Sequence, residues 1–405
     1  EHRSYRPVTH AEPSAVEDAV TLVESAERPI IYSGGGVINS GNRASELLKE
    51  LARVTGFPVT NTLMGLGGYP GNDPQFIGML GMHGTFESNM AMHDCDVMIA
   101  VGARFDDRVT GRLLDFAPAA KKIQIDIDRS SINKNVFVDI PLVGDAANVL
   151  EAFLAVWKKR KSTTNKKAIE NWWEQIERWR KVDCLKYENS QSTIKPQYAL
   201  QRLHELTKDL DVYFTTEVGQ HQMWAAQFLR FDEPRRWMTS GGLGTMGYGF
   251  PAAMGVQIAH PKSLVVDISG EASFLMNMQE LSTVKQYRLP VKVFIMNNEY
   301  MGMVRQWQEF FHGGRYAESY TDSLPDFVAL AEAYGMKGLR ATKPDEVDGL
   351  ITEMIVHDGP VVADVMVEKM ENVFPMIPAG AGHHEMKLGS DDDVAPRTEE
   401  GMVLV

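Results

Sequence analysis

Cysteine is scarce in this chain of 405 residues, which has only Cys95 and Cys184. The two lie far apart in the sequence and show no metal-ligand spacing. This excludes a disulfide-stapled scaffold and a cysteine-ligated zinc site, and it favours a reducing compartment. No apolar run has the length of a membrane span, and no signal peptide is visible. We therefore predict a cytoplasmic location and no membrane partner.

Positive charge is also in short supply, with 41 Lys and Arg against 54 Asp and Glu and a net charge of −13. This balance argues against binding to nucleic acid or to an anionic membrane surface. The composition is otherwise ordinary for a globular protein, and the length suits two or three domains. The first residue is Glu1 rather than Met, so the chain reads as a piece of a longer protein.

A G-x-G-x-x-G dinucleotide fingerprint is missing as well. The first part of the chain nevertheless alternates predicted strands and helices, with strands at 29–33, 58–62, 97–101 and 122–125. Glycines or acids stand directly after these strands, where the backbone approaches a ligand in an open parallel sheet. Asp126 either accepts hydroxyl donors from a ribose or serves as a helix cap or loop acid. The pattern predicts an α/β fold with a doubly wound parallel sheet.

The middle of the chain has the composition of a linker. Residues 158–167 form a basic polar run, which favours a solvated connection over a binding patch. Residues 169–187 carry a tryptophan stripe among charges, so we predict an amphipathic helix that packs across a domain boundary. The predicted organisation is a nucleotide-binding domain over 1–155, a linker over 156–195, a second alternating domain over 196–370 and a tail over 371–405.

Residues 264–307 are the stretch around which the second domain is organised. A predicted strand ends before Gly270-Glu271, a helix follows, and a second strand ends at Asn297-Asn298. Parallel strands place their carboxyl ends at one edge of a sheet, so Glu271 and Asn298 are expected to face one site. Their oxygens suit Mg²⁺, which binds a few protein oxygens together with phosphates and water. The alternative interpretation is ordinary turn chemistry at two strand ends.

Two further features of this domain suit an anion. The glycine cluster 241–244 precedes an apolar helix that Thr245 is predicted to cap, and free backbone N–H groups at a helix start bind anions. His221, just after another predicted strand, either hydrogen-bonds a diphosphate or is a satisfied structural histidine.

Several short sequence motifs in this chain resemble those of one enzyme family. Gly270-Glu271-Ala272, then 24 residues from Ser273 to Met296, then Asn297-Asn298 resemble the diphosphate motif of thiamine-diphosphate enzymes, with Glu271 where that motif has Asp. Six further motifs are similar to those of the catalytic large subunit of acetohydroxyacid synthase, also called acetolactate synthase. They are residues 80–84, 102–111, 216–224, 238–247, 302–308 and 376–378. The similarity runs from about residue 5 to 380.

The resemblance implies thiamine diphosphate, Mg²⁺ and FAD as cofactors. The residues implied to hold thiamine diphosphate are Gln220, His221, Gly244, Met246, Gly270, Glu271, Ala272, Ser273, Asn298, Gly302 and Met303. Those implied to bind the metal are Glu271, Asn298 and the backbone oxygen of Tyr300. Met246 matches a residue that wedges thiamine into its bent shape, Trp307 one that favours 2-ketobutyrate, and Arg108 one that pairs a substrate carboxylate.

The same resemblance implies that the first domain binds FAD. The residues implied to line that cleft are Gly34, Gly35, Gly36, Thr62, Leu63, Met64, Gly81, Met82, His83, Gly102, Ala103, Arg104, Asp106, Arg108, Val109, Asp126, Ile127, Asp145 and Ala146.

By resemblance, the parent enzyme decarboxylates pyruvate and condenses the remaining two carbons with pyruvate or 2-ketobutyrate, in valine, leucine and isoleucine biosynthesis. The implied assembly is a homodimer or homotetramer of large subunits with a small regulatory subunit. The rival interpretations are a related pyruvate oxidase or glyoxylate carboligase, and a non-catalytic cofactor-binding paralogue. The family also has an N-terminal pyrimidine-binding domain whose glutamate contacts the aminopyrimidine ring, and no glutamate in this chain matches it. We therefore expect this chain to be a fragment and, alone, inactive.

Overall fold

Short runs of β-branched and other apolar residues, bounded by glycine, proline or polar residues, form the strands of the protein. A computed structural model describes residues 6–389. The sequence predictions for 1–5 and 390–405 lie outside these residues. The strands are β1 (Pro29–Ser33), β2 (Val59–Asn61), β3 (Phe76–Met79), β4 (Val97–Val101), β5 (Lys121–Asp126), β6 (Ile140–Val143), β7 (Val212–Thr216), β8 (Trp237–Met238), β9 (Leu264–Ser269), β10 (Lys292–Asn297), β11 (Lys337–Ala341) and β12 (Val361–Met366).

The α-helices fill the connections between the strands. They are α1 (Pro13–Glu24), α2 (Gly35–Ser40), α3 (Asn42–Thr55), α4 (Phe86–Asp94), α5 (Asp107–Thr110), α6 (Ala146–Arg160), α7 (Lys166–Arg180), α8 (Pro196–Thr207), α9 (Gln220–Phe228), α10 (Gly249–Ala259), α11 (Glu271–Leu275), α12 (Leu281–Tyr287), α13 (Gly302–Phe311), α14 (Phe327–Ala333) and α15 (Val347–Val356). None of the helices within 6–389 is long and apolar enough to cross a membrane.

The described chain separates into two units, and residues 6–185, 231–234 and 374–389 form the first. Its sheet has the strand order β3-β2-β1-β4-β5-β6, with every pair parallel. This is the order of doubly wound dinucleotide-binding sheets, whose ligand crevice opens where the chain direction across the sheet reverses. Here the reversal lies between β1 and β4. The missing glycine fingerprint therefore did not indicate a different sheet.

Residues 186–230 and 235–373 form the second unit. Its sheet has the order β11-β12-β10-β9-β7-β8, and again every pair is parallel. The chain moves from β7 to the edge strand β8 and then returns to the other side of β7 as β9, so the reversal lies between β7 and β9. The predicted fold class, two doubly wound parallel-sheet domains, is confirmed.

The tryptophan-rich helix α7 packs differently from the prediction. Trp172 and Ile176 are buried in the core of the first unit, together with residues of β1 and β4. The indole N–H of Trp172 donates to Pro29 O at 2.9 Å, and that of Trp173 to Gly56 O at 2.8 Å. The helix therefore belongs to the first unit and contributes to its core. The basic run is also partly helical, because α6 extends through Arg160 and α7 starts at Lys166.

Residues 374–389 return to the first unit after the second unit has been completed. The N–H of Ile377 donates to Met82 O at 2.8 Å, and the N–H of Arg112 donates to Ala381 O at 3.0 Å. His383 Nε2 lies 2.7 Å from Val109 O. Within the predicted tail, residues 374–389 are therefore an integral segment of the first unit, packed on the loops that follow β3 and β4, whereas residues 371–373 belong to the second unit.

Candidate functional site

The candidate residues of the second unit follow the carboxyl ends of four strands. Gln220 and His221 come after β7, Gly244 and Met246 after β8, Gly270 to Ser273 after β9, and Asn298, Tyr300, Gly302 and Met303 after β10. Because all pairs in the sheet are parallel, these ends lie at one edge, where open α/β sheets bind their ligands. The structure thus brings this set to one edge of the second sheet.

Glu271 is the first residue of α11 and is only 1% exposed. Neither carboxylate oxygen accepts a well-formed hydrogen bond from the described residues. Burial raises the pKa of Glu271 to about 8, although nearby backbone N–H groups oppose that shift. An unpartnered buried carboxylate is costly unless a cation or hydrogen-bond donor meets it. The environment of Glu271 therefore fits a cation ligand.

Asn298 supplies a second oxygen. Its Oδ1 accepts the N–H of Tyr300 at 3.2 Å, which leaves the other lone pair of this oxygen for a ligand. Glu271, Asn298 and the backbone carbonyl of Tyr300 are all oxygen donors, the kind that Mg²⁺ binds alongside phosphate oxygens. The residues present therefore fit Mg²⁺, including the glutamate that replaces the aspartate of the motif.

His221 lies in the first turn of α9, after Gly219 at φ +152°. The ring is buried, and its Nε2 has no hydrogen-bond partner among residues 6–389. Desolvation lowers the pKa of His221 to about 3, so the ring is neutral. A Cβ at position 270 would lie 2.9 Å from this ring, which explains the glycine there. A buried unpartnered nitrogen beside a helix N-terminus fits a diphosphate.

The other predicted residues of this unit are less deeply buried. Met246 is half-buried in the segment between β8 and α10. Trp307 lies on α13 and packs edge-on against Phe311, with the ring centroids 5.0 Å apart. Gly302 begins that helix, whose first N–H groups stand at the same sheet edge as the start of α9. Both helices thus direct N–H groups toward the site.

Sequence reasoning missed Glu217, which is fully buried directly after β7. Its carboxylate accepts the N–H groups of Gly247 at 2.5 Å and Phe250 at 3.0 Å, at the start of α10. Thr245 was predicted to cap this helix, but α10 begins at Gly249 and the N–H of Thr245 donates to Ser240 Oγ. That prediction is wrong because a carboxylate from another strand end reaches the helix start first.

Asp267 lies inside β9 and is also fully buried. Thr215 Oγ1 donates to its Oδ1 at 3.0 Å, and Ser269 Oγ donates to its Oδ2. Burial, together with the negative charge of Glu217, raises the pKa of Asp267 well above its ordinary value. An acid within an apolar strand was the available signal, since a buried carboxylate requires partners.

In the first unit, the candidate residues follow the ends of all six strands. Gly34 to Gly36 follow β1, Thr62 to Met64 follow β2, Gly81 to His83 follow β3, Gly102 to Val109 follow β4, Asp126 and Ile127 lie at the end of β5, and Asp145 and Ala146 follow β6. Every member of the predicted set therefore lies at the ligand-binding edge of a dinucleotide-type sheet.

Backbone contact explains the glycines at the reversal point of the first sheet. The N–H of Gly34 donates to Val101 O at 2.9 Å, and that of Gly36 to Gly102 O at 3.0 Å. A Cβ at position 34 would overlap the carbonyl oxygen of Gly102, and one at position 36 would lie 2.5 Å from Gly102 Cα. The loops after β1 and β4 can touch only because neither has side chains there.

The charged candidates of the first unit are more exposed. Arg104 forms an ion pair with Asp106, and Arg108 lies 3.3 Å from Asp107 with 60% of its side chain exposed. Asp145 caps α6 and accepts Ser40 Oγ at 2.8 Å, so its carboxylate is already in use. Asp126 accepts the N–H of Asp128 at 2.8 Å, in a loop-acid arrangement.

Buried polar atoms without partners also occur in this unit. Within the described chain, Ser33 Oγ, Asn61 Oδ1 and Thr62 Oγ1 lack hydrogen-bond partners, and all three stand at the ends of β1 and β2. His83 is buried and contacts Pro375 O at 3.0 Å through Nδ1, while desolvation lowers its pKa to about 4. Polar atoms at this edge fit a polar ligand such as a flavin nucleotide.

Comparison with known proteins gives the family. Residues 217–365 match the family described as thiamine pyrophosphate enzyme, C-terminal TPP binding domain, and residues 16–153 match its central domain. The chain is 47% identical to acetolactate synthase isozyme 3 large subunit of Escherichia coli (strain K12) over 393 residues, which cover 96% of this chain and 68% of the relative. The chain belongs to the acetolactate synthase large-subunit family.

Other members of the acetolactate synthase family match over similar lengths. The large subunit of Haemophilus influenzae is 45% identical over 97% of this chain and 68% of its own length. That of Buchnera aphidicola subsp. Acyrthosiphon pisum is 46% identical over 95% of this chain and 67% of its own length. All the diphosphate and metal candidates lie within the matched thiamine pyrophosphate-binding domain, and all the flavin candidates within the central domain.

Proposed function

We propose that this protein is the catalytic chain of an acetolactate synthase that uses thiamine diphosphate and Mg²⁺. It converts two molecules of pyruvate into 2-acetolactate and carbon dioxide, and it accepts 2-ketobutyrate as second substrate to give 2-aceto-2-hydroxybutyrate. The observation that carries this proposal is the pairing of the buried, unpartnered Glu271 carboxylate with the Asn298 amide oxygen at neighbouring strand ends. Such a pair suits the cation that holds a diphosphate.

Each part of the cofactor has residues that suit it. Glu271, Asn298 and the Tyr300 carbonyl hold Mg²⁺, and His221 with the N–H groups at the starts of α9 and α13 holds the diphosphate. When bound, thiamine diphosphate supplies an acidic carbon and an electron sink for decarboxylation. Met246 supports the bent form of the cofactor from the segment after β8. Burial of the site excludes water, which strengthens these polar contacts.

Two further residues meet the substrates in this proposal. Trp307 contacts the additional methyl group of 2-ketobutyrate, and the Arg108 guanidinium pairs with a substrate carboxylate. FAD binds the first unit through the glycine-rich strand ends and the unpartnered polar atoms after β1 and β2. Its role is structural, since the reaction transfers no electrons overall.

The name 'large subunit' that the relatives carry supports pairing with a smaller regulatory subunit. In this proposal the chain also assembles with copies of itself, as a homodimer or homotetramer. It works in the cytoplasm, in the biosynthesis of valine, leucine and isoleucine. Pyruvate oxidase and glyoxylate carboligase activities form different products, so product analysis separates them from this proposal.

Calorimetric titration of the protein with thiamine diphosphate tests the cofactor part. Binding is expected with Mg²⁺ present and is expected to weaken strongly with a chelator. For the intact protein supplied with pyruvate, thiamine diphosphate, Mg²⁺ and FAD, one acetolactate is expected for each carbon dioxide released. Acetate as the main product from pyruvate, preferential formation of tartronate semialdehyde when glyoxylate is supplied instead, or Mg²⁺-independent binding would contradict the proposal.

A further inference from the structure

The side chain of Gln220 is fully occupied by protein groups. Its Nε2 donates to Gln306 Oε1 at 2.8 Å and to Glu371 O at 2.9 Å, which uses both amide hydrogens. Its Oε1 accepts from Asn298 Nδ2 at 3.2 Å. The side chain is 2% exposed, so these contacts are shielded from water. A diphosphate oxygen needs a hydrogen-bond donor, and this side chain has none left to offer.

Backbone groups fix the direction of every amide in this chain of contacts. The N–H of Tyr300 can only donate, so the Asn298 atom that it meets is the oxygen, and Nδ2 therefore faces Gln220. At the other end, the carbonyl of Glu371 can only accept, so it faces the nitrogen of Gln220. The N–H of Val373 donates to Gln306 Oε1 at 2.8 Å and fixes the third amide in the same way.

We propose that Gln220 is a positioning residue for the cation and acts through Asn298. By accepting Nδ2–H, it holds the Asn298 amide so that Oδ1 is presented to Mg²⁺ and the nitrogen is turned away. This inference rests on the proposed function, because it assigns a role at the same cation site. The diphosphate is then held by His221 and by backbone N–H groups.

Two other features serve this contact. A Cβ at position 302 would overlap Gln220 Oε1 and lie 2.8 Å from Asn298 Nδ2, so the glycine at the start of α13 leaves room for it. The far end is anchored by Arg305, which is fully buried and donates to Glu371 O at 2.6 Å and to Asn372 Oδ1 at 2.8 Å. The segment 371–373 thus serves as a fixed support for the amide of Gln220.

The carboxylate of Glu371 is held as well. Lys195 Nζ lies 2.6 Å from its Oε2, and Gln197 Nε2 donates to its Oε1 at 3.0 Å. These contacts join the support to the start of α8, within the second unit. An amide held at both ends loses little freedom when a cation binds, which favours affinity.

The test compares the effect of Gln220→Met in two backgrounds. With Asn298 present, the variant lets the amide rotate, and the dissociation constant for Mg²⁺ at saturating thiamine diphosphate is expected to rise about tenfold, which corresponds to 1.4 kcal/mol. Asn298→Asp presents an oxygen at both positions, so orientation no longer matters. In that background the carboxylate faces Gln220 Oε1 acceptor to acceptor, so Gln220→Met removes no hydrogen bond and is expected not to lower Mg²⁺ affinity. Calorimetric titration with Mg²⁺ measures all four proteins.

Controls separate positioning from folding. Gln257→Met removes another buried glutamine whose amide donates to His260 O and Ser263 O, and it is expected to leave Mg²⁺ affinity unchanged. Gln306→Met is the second variant, which removes one support of Gln220 and is expected to give a smaller loss that also vanishes in the Asn298→Asp background. Thermal unfolding without cofactor checks that each variant folds.

If Gln220→Met weakens Mg²⁺ binding equally with Asn298 present and in the Asn298→Asp variant, Gln220 contacts the cofactor directly and the inference is overturned. The inference is also overturned if Gln220→Met does not weaken Mg²⁺ binding in either protein. Failure of the proposed function looks different, because the unsubstituted protein would then bind neither thiamine diphosphate nor Mg²⁺.

Discussion

Two charged candidates of the first unit, Arg104 and Arg108, have side chains 57% and 60% exposed, whereas Glu271 and His221 of the second unit are 1% and 6% exposed. Both sets stand at the carboxyl ends of parallel strands. The first unit offers glycines, close backbone contacts and neutral polar atoms at its edge, and the second adds a buried carboxylate that lacks a hydrogen-bond partner among the described residues. The difference teaches that one topology supports recognition by shape or by charge.

The largest expected effect concerns acid sensitivity, to which two buried histidines of the first unit contribute together. Burial lowers the pKa of His83 and of His383, both in the first unit, to about 4. As the pH falls below 6.5, these histidines become protonated in the unfolded chain but stay neutral in the folded protein. The free energy of unfolding therefore decreases as the pH falls from 6.5 to about 4. Between pH 7 and pH 5 the free energy of unfolding is expected to decrease by about 2 kcal/mol for each histidine, or by about 4 kcal/mol for both.

Urea unfolding at pH 7 and pH 5 measures this loss. A double variant, His83→Gln and His383→Gln, keeps an amide donor for the carbonyl partners and is expected to lose about 4 kcal/mol less on acidification than the unsubstituted protein. His10→Gln alters an exposed histidine and serves as the control. If the double variant and the unsubstituted protein lose the same free energy of unfolding between pH 7 and pH 5, protonation of these two histidines is not the cause of the acid sensitivity.

A substitution at the glycine contact tests shape in the first unit. Gly34→Ala places a Cβ against the carbonyl oxygen of Gly102. It is expected to lower the free energy of unfolding by about 3 kcal/mol and to weaken FAD binding. Gly35→Ala, in the same loop, meets only Met64 at 3.3 Å and is expected to cost less than about 1 kcal/mol. Chemical denaturation and flavin fluorescence titration give both values. If the two variants behave alike, close backbone approach is not the reason for the glycine.

Glu271→Gln tests charge in the second unit. Removing the anion is expected to weaken Mg²⁺ binding about 100-fold, while relieving the cost of burying an unpartnered carboxylate. The metal-free variant is therefore expected to melt at a higher temperature than the unsubstituted protein at pH 8 or above. Glu271→Asp keeps the anion and is expected to bind Mg²⁺ at least as well. Unchanged Mg²⁺ affinity in the glutamine variant would remove Glu271 from the metal site.

The smallest effect is expected at Trp307. Trp307→Leu in the intact protein reduces the contact with the additional methyl group, so the preference for 2-ketobutyrate over pyruvate is expected to fall about 10-fold. A competition assay with both substrates reports the product ratio. Phe310→Leu, on the same helix, is the control and should leave that ratio unchanged. If Trp307→Leu leaves the product ratio unchanged, the Trp307 side chain lies outside the substrate pocket.

Much of the fold could be predicted because local patterns were strong. The bounds predicted for β1 and β4 agree with the structure, since each is an apolar or β-branched run that ends at glycine. Strands β3 and β11 were missed. Both are edge strands, one short and containing Gly78, the other alternating with Lys337 and Arg340, and they form through pairing rather than through local preference.

The candidate site followed the same rule. Residues next to strand ends could be found from the sequence because strand ends are local features. The partners of Gln220 could not, since Gln306 and Glu371 lie 86 and 151 residues away and reach it only in the folded sheet. The single helix predicted between β9 and β10 is interrupted by a short 3₁₀-helix at Met278–Glu280, which separates α11 from α12. That break has no clear signal in the amphipathic pattern.

The second unit is inserted between two parts of the first, and this imposes an order on synthesis. Residues 374–389, which hold the loops around Met82 and Arg112, are translated only after residues 186–373. At about 5–20 residues per second, that interval is roughly 10–40 s. During it, the contacts that residues 374–389 make with Met82 and Arg112 cannot yet form. The proposed flavin-binding edge is therefore completed only after the second unit has been translated, although its strands are translated before that unit.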